Sequence, residues 1–148
     1  MPVLMEDGVD SGLVWHYGNP VTEARALAAG EGIVGLGNRD VFELTGVDRL
    51  NLLHALSTQH VEALPADEAT CALLLGPTGH IEHVLYGVDD GESFLGWTEP
   101  GRGDALVSFL DSMRFSLRVE VVRRADVSLA WAGHRVEIPE GWRRRDSE

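Results

Sequence analysis

The chain has 148 residues, 44% hydrophobic and 24% charged, enough for one sizeable globular core and too balanced for a disordered or fibrous protein. Its net charge of −12 argues against general nucleic-acid binding, which needs a basic footprint. All twelve basic residues are arginine, and the absence of lysine excludes a P-loop lysine, a Schiff-base lysine and a kinase-type ATP lysine within this sequence. A single cysteine, Cys71, forms no internal disulfide and fits a reducing compartment. No apolar run is long enough to span a bilayer, and the start lacks the marks of a signal peptide, so the expected location is the cytoplasm.

Residues 1–14 have no periodic pattern and hold Gly8 and Gly12 among acidic residues, which predicts a mobile tail. Asn19-Pro20 is a helix start, with asparagine at the N-cap and proline where no N–H is needed; Gly30 or Gly32 can end that helix. Ile33 to Thr45 reads as a strand with Phe42 and Leu44 on one face and Val41, Glu43 and Thr45 on the other. Thr45-Gly46-Val47-Asp48 matches a capping box opening a helix over 48–58, with Leu52, Leu53 and Leu56 as its apolar stripe.

Strands follow at 70–75, 80–88 and 92–98, separated by Gly76-Pro77-Thr78-Gly79 and Asp89-Asp90-Gly91. Leu106, Phe109, Leu110 and Met113 fall at helical spacing over 103–115. Two alternating segments, 117–121 and 127–131, complete the set. The order predicts an α+β fold with a mostly antiparallel sheet and helices packed on it. From 134 to 148 the pattern thins to linker-like sequence ending near Arg143, Arg144 and Arg145, a cluster read as a solvated end rather than an anion site.

The motifs with chemical overtones are weak on residues alone. Gly30-Glu31-Gly32-Ile33-Val34-Gly35 has the dinucleotide spacing, but it lies between a helix and a strand in the wrong order, so the glycines are read as bends. His80-Ile81-Glu82-His83 on a strand sends its histidines to opposite faces, so no metal site is expected there. His83 shares an apolar face with Ile81 and Leu85; it is either a satisfied core histidine, which that face favours, or a pocket-lining group. Cys71, aligned with Leu73 and Leu75, is expected to be a buried thiol, and Trp97 and Trp131 are expected in the core. Ser57, His54 and His60 lie close in sequence but in no nucleophile–base arrangement.

A resemblance carries the reading further. Gly32 to Asp48, GIVGLGNRDVFELTGVD, is similar without gaps to the N-terminal pattern GLFDVSHMGKIEVSGPD of the glycine-cleavage T-protein family. DRLNLLHALSTQHVEALPADEA resembles that family's next helix and turn, and GPTGHIEHVLYGV resembles its N-x-x-G-G-I-x-D-D hairpin; the similarity covers about residues 16–133. It implies tetrahydrofolate or a related folate as ligand, with Leu75, His83, Thr98 and Glu99 on the pocket side and Arg39 nearby.

The departures favour one branch. The family's folate-facing aspartate is His83 here and the next aspartate is Val84. Its folate-packing methionine is Arg39, and the flanking aspartate and histidine are Gly35 and Asn38. These changes resemble the YgfZ branch, and His16-Tyr17-Gly18-Asn19-Pro20, Ser57-Thr58-Gln59-His60 and Thr98-Glu99-Pro100 resemble its actinobacterial members, which implies a folate-binding accessory protein for iron–sulfur proteins and tRNA modification, not a turnover enzyme. The alternatives are a folate-dependent aminomethyltransferase, with Glu82 or Glu99 replacing the lost carboxylate, and a ligand-free scaffold. That branch's Lys-Gly-Cys-x-x-Gly-Gln-Glu motif is not in these residues, so the expectation is either a piece of a longer parent protein, which the linker-like end favours, or a degenerate member. Expected partners are folate and iron–sulfur proteins, without direct nucleic-acid or membrane binding.

Overall fold

The computed structural model describes residues 1–144. They form two compact units, one of Met1–Arg39 with Ser128–Arg144 and one of Asp40–Val127.

The first unit opens with a pairing of β1 (Val3–Leu4) and β2 (Val14–His16), reinforced by Met5 N–H to Leu13 O at 2.8 Å. The segment expected to be a tail therefore holds an irregular hairpin, whose few polar turns give no alternation to detect. Helix α1 (Pro20–Ala28) begins as expected: Asn19 Oδ1 accepts from Thr22 N at 3.1 Å, and Pro20 occupies the first turn. Glu23 adds bonds from the Tyr17 and Asn19 amides at 2.9 and 3.1 Å. The helix ends at Gly30, whose φ of +77° places it in the left-handed region glycine tolerates. Next, β3 (Ile33–Gly35) pairs antiparallel with β9 (Ala130–Ala132). Beyond β9, the amides of Gly133 and Arg135 donate to Gly32 O and Gly30 O, and Arg144 Nη2 donates to Val136 O. Residues 133–144 thus make backbone bonds within this unit where a bare linker was expected; Arg145 to Glu148 lie outside the described residues.

The second unit is a five-stranded antiparallel sheet with two helices. Its strands are β4 (Asp40–Thr45), β5 (Ala69–Leu75), β6 (Ile81–Asp89), β7 (Ser93–Thr98) and β8 (Glu120–Arg123), in the order β5-β6-β7-β4-β8. The expected single strand over 33–45 is two strands in two sheets, because the chain turns at 36–39. Helices α2 (Arg49–Leu56) and α3 (Gly103–Met113) supply Leu52, Leu53, Leu106 and Leu110 to the core against Phe42, Leu44, Leu74, Leu85 and Phe94. The α+β, mostly antiparallel class follows as expected.

Three local expectations change. Thr45 is still strand, so no capping box forms; Asp48 is the N-cap of α2, and its carboxylate accepts from the amide of Arg118 at 2.8 Å. On β5 the core face carries Ala72 and Leu74, which leaves Cys71 exposed. TCALLL is apolar on both faces, so its period could not choose the buried side. Trp97 lies on the opposite face from buried Phe94 and Thr98, stacked on Tyr86 with centroids 6.1 Å apart, and Trp131 is 43% exposed. Neither tryptophan belongs to the core.

Candidate functional site

At one end of the sheet, the start of β6, the end of β7 and the turn into α3 enclose a shallow pocket of about 140 Å³. Ile81, Glu82, His83, Val84, Thr98, Glu99 and Arg102 line it. Alternation on β6 turns His83 to the helix-covered face, since it pairs with core residue Leu74, and Phe109 of α3 covers its ring at 5.4 Å between centroids. Its Nδ1 is buried and has no hydrogen-bond partner among the described residues. The core-or-pocket alternative thus resolves into both: an imidazole leaning on the core with one nitrogen left over.

Thr98 is buried, and its hydroxyl donates to Val84 O at 2.7 Å, tying β7 to β6. With its proton committed, Thr98 can only accept a further bond, so it sets the pocket wall more than it recognises a ligand. Glu99 is exposed and its carbonyl accepts from the Arg102 amide at 3.1 Å, closing the turn. The Arg102 Nη2 donates to Glu82 O at 3.1 Å, so the guanidinium reaches across from the α3 N-terminus to β6. The first turn of α3 is fixed by Asp40, whose carboxylate accepts from Gly103 N at 2.8 Å and pairs with Arg123 at 3.5 Å.

Three of the five residues expected at the site, His83, Thr98 and Glu99, are brought together here. Leu75 is 40% exposed at the end of β5 and is not among the lining residues. Arg39 belongs to the other unit, where its guanidinium pairs with Asp10 at 2.6 Å and with Asn38 at 2.8 Å. Arg102 was missed by sequence reasoning. Its position just before a strong amphipathic helix was the available signal, but nothing local reveals the carbonyl it reaches.

Burial pushes the His83 imidazole pKa down, the Arg102 charge pushes it further, and Glu82 opposes both. The sign for stability follows. The unfolded histidine takes a proton near its ordinary value of about 6.5, while the folded one resists until lower pH. Unfolding free energy is therefore expected to fall as pH drops below about 6.5 and to level off once the folded form is also protonated. Urea midpoints at pH 7.5 and 5.5 check this, and a His83→Leu variant should show a smaller difference than the parent. An unchanged difference would remove the buried, neutral imidazole from this account.

At neutral pH the pocket is thus lined by a neutral imidazole, two glutamates and one arginine beside Ile81 and Val84. Such a set can hold a flat, nitrogen-rich ring by hydrogen bonds at its edge. The closest chemistry is recognition. None of the lining groups is a nucleophile held against a base.

The fold defines a class. No protein-family model matches the chain, and no curated protein matches its sequence. Among solved structures, the glycine cleavage system aminomethyltransferase T from Bartonella henselae is similar, with a TM-score of 0.58 and 15% identity over 64% of this chain. At that identity the likeness establishes a T-protein-like fold. The match spans 26% of the aminomethyltransferase's length, about a quarter of that protein. No helix among the described residues is long and apolar enough to cross a membrane.

Proposed function

We propose that this chain is a folate-binding element of T-protein type that binds a reduced folate without turning it over. The observation that carries the proposal is His83, with its buried and unpartnered Nδ1 in a pocket flanked by Glu82, Glu99 and Arg102 on that fold. In the resemblance this position belongs to a carboxylate; an uncharged imidazole can bind a ring nitrogen but cannot supply the negative charge aminomethyl transfer would use. In this proposal Glu99 pairs with pterin N–H groups and His83 with a pterin or bridging nitrogen. A pocket of about 140 Å³ is smaller than the ~300–1,000 Å³ of typical ligand sites, so it would seat one ring system of the folate.

The finer assignment, an accessory role of YgfZ type toward iron–sulfur proteins and tRNA modification in the cytoplasm, is part of the proposal and rests on the departures at His83, Val84 and Arg39. One observation favours the transferase instead: Glu82 and Glu99 both line the pocket and either could replace the missing carboxylate. Folate-dependent cleavage of aminomethyl-lipoyl carrier separates the two. Folate binding with no formation of methylene-folate is expected; turnover abolished by Glu99→Gln would overturn the accessory reading.

A further inference from the structure

A second cluster of chemistry-bearing side chains lies on the same unit and shares no residue with the His83 pocket. His54 sits in the last turn of α2, and the chain then runs through a loop pinned at several points. Ser57 bridges to Leu74, the Thr58 amide donates to Leu73 O at 3.1 Å, and Leu64 N donates to Val61 O at 3.0 Å. Val61 is 1% exposed, inserted in the core, so its neighbours His60 and Glu62 are held outward on either side of it.

The result is a convergent set. The Glu62 carboxylate has Oε2 3.9 Å from His54 Nε2 and Oε1 3.8 Å from His60 Nε2. The two imidazoles meet edge to face with centroids 4.6 Å apart, and one ligand atom from each of the three residues lies within 4.8 Å of the others. Three donors of this kind with the remaining positions open are the arrangement a zinc-type ion takes. Imidazole nitrogens turn the selection away from calcium and magnesium.

We propose that His54, His60 and Glu62 form a binding site for a divalent transition-metal ion, with Zn²⁺ the best fit. Tetrahedral ligands at about 2.0–2.1 Å from zinc stand roughly 3.3 Å apart, so each imidazole must close on Glu62 by about half an ångström, and the donor atoms standing furthest apart, within 4.8 Å, by up to about 1.5 Å. His60 and Glu62, whose side chains are 72% and 48% exposed, can move that far by small torsional changes while the pinned backbone stays in place. His54 limits the affinity. Coordination through its Nε2 leaves the proton on Nδ1, which is buried and has no acceptor among the described residues, whereas tight zinc sites satisfy that N–H. Binding is therefore expected to be roughly 10–100-fold weaker than at a site whose outer hydrogen-bonded shell is complete.

The inference is independent of the folate proposal and is tested on the full chain without an affinity tag. Calorimetric titration with Zn²⁺ at pH 7.5 is expected to show one equivalent bound, and Co²⁺ as a spectroscopic substitute should give visible bands of a low-coordinate nitrogen–oxygen site. His60→Ala and Glu62→Gln, both at exposed positions, should each weaken binding at least tenfold, and His80→Ala on the β5–β6 turn should leave it unchanged. Absence of saturable binding below 1 mM, or equal binding by the parent and both variants, would overturn the proposal. So would equal loss in His80→Ala.

Discussion

Replacing Asp89 with alanine is expected to destabilise the 40–127 unit by about 3–5 kcal/mol, the usual cost of stripping one partner from a buried ion pair. Asp89 sits at the end of β6 with its side chain 3% exposed, and Arg49 opens α2 with its side chain 11% exposed. The contact is bidentate: Nε to Oδ2 at 2.6 Å and Nη2 to Oδ1 at 2.9 Å. Both groups have further bonds, Arg49 Nη1 to Gly46 O at 3.0 Å and Asp89 Oδ1 from Gly91 N at 2.9 Å, so the pair fastens a helix start to a hairpin turn. Truncating the carboxylate leaves a buried guanidinium with no counter-charge and only the Gly46 carbonyl as partner. The double change Arg49→Met with Asp89→Leu removes both charges and should cost less than Asp89→Ala alone. Urea unfolding followed by circular dichroism measures both; a single variant within about 1 kcal/mol of the parent would show that the pair is solvated in solution.

Phe42→Ala is expected to cost a similar amount, about 3–5 kcal/mol, for a different reason. Phe42 is fully buried on β4, and its direct cross-strand partner on β7 is Gly96. A Cβ built on Gly96 would overlap the Phe42 ring, so the glycine exists to let the ring lie flat over the neighbouring strand. Gly96→Ala alone should therefore cost about 1–3 kcal/mol through overpacking. In the Phe42→Ala background the same methyl enters the vacated space, and the double variant should be markedly more stable than the two single losses added together. Simple additivity within about 0.5 kcal/mol would show that ring and glycine do not share that space.

These two features also show where the sequence is legible. The strands at 81–89 and 93–98 and the helix at 103–113 could be read from one chain because alternation and i, i+3, i+4 spacing are local consequences of a one-sided core. The Asn19-Pro20 start was legible for the same reason, since a cap is satisfied within three residues. The Arg49–Asp89 pair spans 40 positions, and the fit of Gly96 under Phe42 depends on strand order, which no local pattern encodes. Cys71 was misplaced because both faces of its strand are apolar, and Thr45 because a motif for a helix start coincided with the last residue of a strand.

The candidate site divides along the same line. His83 was visible as a histidine on an apolar face, while Thr98 and Glu99 were suggested only by resemblance. The structure gathers these three, and it adds Arg102, whose reach to the Glu82 carbonyl spans 20 positions. The zinc-type cluster was hidden by a different cause. His54 and His60 lie six positions apart on either side of a helix end, and the role of Glu62 depends on the buried Val61 turning its neighbours outward.

Folate binding through His83 is the central claim, and Trp97 is a poor reporter for it because the indole lies on the far face of the sheet from buried Thr98. Calorimetric titration of the full chain with tetrahydrofolate at pH 7.5, repeated on His83→Ala, is the most direct measurement. Saturable one-to-one binding is expected, weakening about tenfold or more in the variant, the ~1.4 kcal/mol of one hydrogen bond in a partly buried pocket. No saturable heat with the parent protein, or equal affinity in the variant, would contradict it.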